Sequence, residues 1–101
     1  MIDREFFLGF IKIHILYHAA QGPVFGVELA EELARHGYRI SPGTLYPTLH
    51  RLERDGYLES SSRVVNGRAR KYYQATGEGK RVLEESRRRI RELVAEVMEA
   101  R

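Results

Sequence analysis

Between Phe6 and Tyr17 the chain reads FFLGFIKIHILY, and no other stretch restricts its fold as much. Asp3 can cap a helix that runs to about Ala20, where Gln21, Gly22 and Pro23 stop it. On such a helix Phe6, Phe7, Leu8, Phe10, Ile11, Ile13, Ile15, Leu16 and Tyr17 leave almost no polar stripe. A helix apolar nearly all round has to be covered on more than one side. A chain of 101 residues makes one small domain, which cannot easily wrap it alone. One side is therefore expected on the chain's own core and another on a partner chain.

The same stretch contains Lys12 and His14 and is too short to cross a bilayer. Asp3 and Glu5 beside Arg4 make a poor basic region for a secretory signal. With 0 cysteines there is neither a disulfide framework nor a thiolate metal site, so a reducing, cytoplasmic setting with no membrane partner is expected. Net charge is only +3, but residues 41–75 carry 6 basic and 3 acidic side chains, whereas residues 1–40 are slightly acidic. The positive excess lies in the middle of the chain.

That middle opens with a short helix, RISPGTLYPTLHRLERDGYLE, written at residues 39–59. Leu45, Leu49 and Leu52 recur at i, i+4 and i+7 and mark its buried face. Ser41 suits the N-cap and Pro42 the first helical position. Pro47 should press on the carbonyl of Gly43, where a glycine leaves room for the backbone to tilt. Gly56 ends the helix. Upstream, a helix over about Val27–His36 places Val27, Ala30, Leu33 and Ala34 inward and is stopped by Gly37. Two short helices joined by so tight a glycine-containing turn have helix-turn-helix spacing.

After Gly56 the period changes to two. Tyr57, Leu58 and Glu59 begin one strand and RKYYQAT ends another, with Asn66-Gly67, the strongest short hairpin signal, between them. Arg63, Arg68, Arg70 and Lys71 lie at and near the tip with no acid among residues 63–71. Two readings are open for that run, a solvated tip or an anion-binding one. Inward strand residues, Tyr73 and Leu58 among them, must cover Leu49 and Leu52. Thr76 then opens a last helix to about Ala100, in which Leu83, Ser86, Ile90, Leu93, Val97 and Ala100 fit a heptad repeat. It either lies on its own domain or forms a seam with a second chain.

The expected fold is mainly α with a β-hairpin: a winged helix-turn-helix over residues 1–75 and a C-terminal dimerisation helix over 76–101 that packs with the first helix of the partner. In a winged helix-turn-helix the third helix enters the major groove of double-stranded DNA and the hairpin is the wing. Ser41, Gly43, Thr44, Pro47, Thr48 and Arg51 are the groove candidates, small groups that keep the helix start slim. Arg63, Arg68, Arg70 and Lys71 are the candidates for phosphates or the minor groove. A two-fold dimer would read a two-fold symmetric operator. The competing use of the same fold is a protein-interaction module, and the charge of the wing favours nucleic acid.

SPGTLYPTLHRLERDGYLE followed by NGRARKYYQATGEGKRVL resembles the PadR family of bacterial transcriptional regulators. That family's pattern is a Gly-Thr-Leu-Tyr-Pro recognition helix, a basic wing ending in Lys-Tyr-Tyr and a Thr-x-x-Gly entry to the last helix. The resemblance covers roughly residues 10–83, and the single C-terminal helix is similar to that of the small subfamily. It implies a homodimer held by the first and last helices, repressing transcription and releasing DNA when a small-molecule effector binds near the interface. Phe7, Phe10 and Ile11 from the first helix and Ile90, Val94 and Val97 from the last are the candidates for the dimer and effector pocket.

No cofactor and no catalytic activity are expected. The chain lacks a phosphate-binding glycine loop, a His-Glu-x-x-His and a cysteine nucleophile. His14 and His18 stand at i, i+4, so their imidazoles can share a metal ion, making a metal-responsive repressor the alternative. The competing role for the pair is as hydrogen-bonded histidines at the dimer interface. His36 and His50 are expected at a helix end and on the outer side of the third helix.

Overall fold

The computed structural model describes residues 2–99. Ala100, the last position of the heptad pattern, lies outside them. The elements are α1 (Arg4–Gln21), β1 (Val24–Phe25), α2 (Gly26–Arg35), α3 (Pro42–Arg54), β2 (Leu58–Val65), β3 (Arg68–Ala75) and α4 (Gly77–Leu93), continued by a π-helical turn, Val94–Met98.

Local chemistry sets the boundaries. The Asp3 carboxylate accepts the Phe6 N–H at 3.1 Å and caps α1. The β2–β3 pairing closes with Val65 opposite Arg68, leaving Asn66 (φ 52°) and Gly67 (φ 76°) as a two-residue loop with both central residues at positive φ. One strand was not written in any periodicity. Val24–Phe25 pairs antiparallel with Tyr73 and Tyr72, so the hairpin extends into a three-stranded sheet ordered β1-β3-β2.

The core joins Ile11, Ile15, Leu16 and Ala19 of α1, Leu29 and Leu33 of α2, Leu45, Leu49 and Leu52 of α3, and Leu58, Tyr73, Ala75 and Leu83. Two inward assignments and one pocket assignment change. On α2 the buried face is Gly26, Leu29 and Leu33 with Ala30 half-buried at its edge, while Val27 and Ala34 are exposed, because at 100° per residue both stand about 100° or more round the helix from that line. Ile11, expected in an effector pocket, is 0 % exposed and belongs to the chain's own core. Only Phe6, Phe10 and Tyr17 of the α1 aromatics project outward as large exposed side chains.

The join between sheet and α4 is made by Thr76. Its hydroxyl accepts the Gly79 N–H at 3.0 Å and donates to the Gly56 carbonyl at 2.6 Å, while its own N–H bonds the Tyr57 carbonyl at 3.1 Å. The same residue thus caps α4 and fixes the turn that ends α3. Gly79 sits so near this turn that a Cβ there would fall 2.1 Å from the Tyr57 carbonyl oxygen. Beyond Ser86, which is half-buried, the seam side of α4 is bare: Ile90, Leu93, Val94, Val97 and Met98 are all exposed, Val97 at 65 %.

Candidate nucleic-acid interface

Helix α3 runs through Pro47 without a break. Ser41 holds the N-cap position with extended backbone, but its hydroxyl does not accept a first-turn N–H and instead lies 3.4 Å from the Thr44 hydroxyl. Its carbonyl takes the Thr44 and Leu45 N–H groups at 3.0 and 2.9 Å. Among the described residues the Gly43 N–H has no such acceptor, so it faces outward as a donor. Ser41, Gly43 and Pro47 are exposed, and Thr44 and Arg51 are half-buried.

Thr48 must be withdrawn from the groove set. It is 0 % exposed, and its hydroxyl donates to the Thr44 carbonyl at 2.8 Å, within the helix. The leucine face of α3 left Thr48 on the outer side, but it stands beside Leu49, Leu45 and Leu52, where a small polar side chain can be buried once its hydroxyl is bonded to the backbone. Tyr46 packs against α2, its ring lying where a side chain on Gly26 would be, at 2.4 Å from the Tyr46 hydroxyl. That contact fixes α3 on α2.

The register sorts the wing bases into two groups. Arg63 lies opposite Arg70 and shares a face with Tyr72 and Phe25. Arg63 stacks over the Tyr72 ring at 4.7 Å and Arg70 over the Phe25 ring at 4.8 Å. Arg68 stands beside the loop and is exposed. Lys71 points the other way, toward α3, where its Nζ lies 3.6 Å from Glu53 Oε1 and 5.4 Å from the Tyr73 ring centre. Glu53 also accepts the Ser60 hydroxyl, so one carboxylate ties both wing strands to α3. Among the described residues Lys71 is therefore paired with an acid, unlike the three arginines. Burial raises the Tyr73 hydroxyl pKa against the opposing pull of Lys71.

Of the remaining candidates, Phe7 is half-buried with its ring 5.5 Å from Tyr38, and Phe10 is exposed with its ring 6.5 Å from Tyr38. A groove of about 1080 Å³ runs between α1 and α4, walled by Phe10, Tyr17, Ile90, Leu93 and Val94 among others. Neither Val97 nor Phe7 lines it. His14 and His18 do approach each other, and His36 joins them: one ring nitrogen of each lies within 4.8 Å of one nitrogen of the other two. Sequence spacing could not show this, because His36 comes from the end of α2. Burial, then the neighbouring His36 and His18, lower the His14 pKa below the usual histidine value.

A helix-turn-helix whose second helix exposes Ser41, Gly43 and Pro47 near its start, followed by a hairpin with arginines on its outer face, defines a winged-helix DNA-binding protein. The sequence comparison narrows the class: the transcriptional regulator PadR-like family model matches residues 15–85. The chain belongs to that family, whose members are transcriptional regulators rather than enzymes. It is 58 % identical over 95 residues to the transcriptional regulator Rv3488 of Mycobacterium tuberculosis (strain ATCC 25618 / H37Rv), covering 94 % of this chain and 89 % of that one. A PadR family regulator from Eggerthella lenta DSM 2243 superposes with TM-score 0.82 at 35 % identity, covering 95 % of this chain and 85 % of the other. A PadR-like regulator from Bacillus cereus strain ATCC 14579 gives 0.83 at 32 % identity, covering 91 % of each. Among the described residues no helix is long and apolar enough to cross a membrane.

Proposed function

We propose that the chain acts in the cytoplasm as a homodimeric repressor that binds a two-fold symmetric operator and releases it when a small apolar effector enters the α1–α4 groove. In this reading residues 1–75 form the DNA-binding unit and residues 76–101 the dimerisation helix. The observation that carries it is the pairing of an unclaimed α3 start with an arginine face on the wing. Ser41, Gly43, Thr44, Pro47 and Arg51 meet the major groove, and Arg63, Arg68 and Arg70 meet phosphate or the minor groove. Lys71, held by Glu53, has the lesser part of that charge. The bare seam of Ile90, Leu93, Val94 and Val97, with Phe10 of α1, supports the dimer. Phe7, half-buried, borders that interface.

The test is a binding titration with operator and scrambled duplex at several salt concentrations. If roughly 6 to 10 phosphates are neutralised, affinity should fall about 10³- to 10⁵-fold between 50 and 200 mM salt. Arg70→Ala should weaken binding to both duplexes and flatten that slope. Thr44→Ala and Arg51→Ala should weaken operator binding more than scrambled binding, because base contacts specify while phosphate contacts position. Absence of salt-dependent affinity for any duplex would leave the protein-interaction module as the use of this fold. Sedimentation checks the assembly, with a soluble full-length monomer as the outcome against it.

A further inference from the structure

The three histidines have no role in the reading above, although they converge from two elements. His14 and His18 stand one turn apart on α1, and His36 follows the last residue of α2. The His14 and His36 rings stack with centres 5.1 Å apart, and the His18 ring is 6.4 Å from that of His36. Among the described residues the imidazoles of His14 and His36 have no hydrogen-bond partner within the chain. On the α2 side, Glu32 places its Oε2 4.0 Å from His18 Nε2.

We propose that His14, His18 and His36 bind a divalent transition metal ion of the zinc class, and that the bound ion pins the α2–α3 turn to α1. Three neutral imidazoles with no thiolate suit zinc, cobalt, nickel or copper and are a poor set for magnesium or calcium. Zinc–nitrogen bonds of about 2.0–2.1 Å in tetrahedral geometry place ligand atoms about 3.3 Å apart. The widest separation here, 4.8 Å, closes to that value with a movement of about 1.5 Å, within the reach of imidazole torsions. Glu32 is placed to orient the His18 ring from outside the ligand set.

The consequence for α3 follows from the chain. His36 N–H bonds the Leu33 carbonyl at 3.1 Å, Gly37 turns the backbone at φ 89°, and Tyr38 N–H returns to Leu33 at 2.9 Å. The Tyr38 ring then lies 5.0 Å from His14. A metal drawn between His36 and α1 therefore acts on the segment that leads directly to the cap of α3.

The site is tested on the full chain with zinc and cobalt salts alone. Cobalt(II) should develop the visible absorption of a tetrahedral nitrogen-ligated ion. Zinc affinity by calorimetry should drop at least about 100-fold in His36→Ala, beyond the 10- to 100-fold typical of outer-shell changes, and stay within about 3-fold in His50→Ala. His36 is exposed, so its removal spares the core, and matching metal-free thermal melts verify this. No zinc binding up to millimolar concentration, or equal affinity in wild type and His36→Ala, overturns the site. The pinning rests on the DNA-binding reading and has its own measurement. Zinc should change operator affinity by about 5-fold or more in wild type and not in His36→Ala. Equal affinities with and without zinc overturn the coupling. Calorimetry uses no DNA, so a failure of the DNA reading and a failure of the metal site are told apart.

Discussion

Gly79→Ala should destabilise the protein, although alanine is the better helix former. A methyl group at this position would stand 2.1 Å from the Tyr57 carbonyl oxygen and 3.0 Å from its carbon. Close carbon–oxygen contacts settle near 3.3 Å, so the two backbones must part by about 1.2 Å. Tyr57 cannot yield freely, since its N–H is bonded to Leu52 at 2.9 Å and its carbonyl to Thr76 at 3.1 Å. Overpacking of this kind costs about 1–3 kcal/mol. The strained Thr76 bond adds about 1 kcal/mol, and the helix preference for alanine returns about 1 kcal/mol. The net expectation is a loss of about 1–3 kcal/mol. Gly43→Ala is the matched comparison: its nearest neighbour would be Ser41 Oγ at 3.8 Å, so that variant should be neutral or gain up to about 1 kcal/mol. Urea unfolding at one fixed protein concentration measures both, because assembly makes stability concentration-dependent. A Gly79→Ala protein as stable as wild type, or the same change in both variants, would refute the steric argument.

Thr48→Val removes the hydroxyl bond to Thr44 at nearly constant volume, so it should cost about 0.5–1.5 kcal/mol in unfolding experiments while leaving the preference for operator over scrambled DNA unchanged. A shift in that preference would return Thr48 to the groove. Glu53→Ala frees both Lys71 and Ser60 from α3, and should increase proteolytic nicking of the wing by a protease that cuts after basic residues. An unchanged cleavage rate would mean that the carboxylate does not hold the hairpin.

What the sequence made legible was whatever depends on a few adjacent residues. Asn66-Gly67 needs no distant partner to make its turn, and Asp3 and Thr76 announce helix starts through short side chains that reach their own first turn. The three leucines of α3 were enough to find its buried face. Strand β1 escaped because two residues after Pro23 carry no period, and only the edge of β3 makes them a strand. Thr48 was misplaced because a hydroxyl that bonds its own helix can be buried at no polar cost, something composition does not reveal. His36 was separated from His14 and His18 by an entire helix, so its approach depends on how α2 crosses α1. Ile11 differs from Phe10 by one position, and on a helix apolar nearly all round only packing decides which of two neighbours faces the core.

The two stacked arginines of the wing differ from Lys71 in what folding has already taken from them. Lys71 is held by an acid, so its charge is partly cancelled. Arg63 and Arg70 lie on the faces of Tyr72 and Phe25, neutral rings that restrict the side chains without cancelling their charge. A free arginine carries about 2 kcal/mol of rotamer entropy, which is lost when it grips an anion. Here part of that freedom is gone before any anion arrives. An anion approaching this face meets guanidinium groups that retain their charge and are already partly ordered, and the entropy lost on contact is correspondingly smaller.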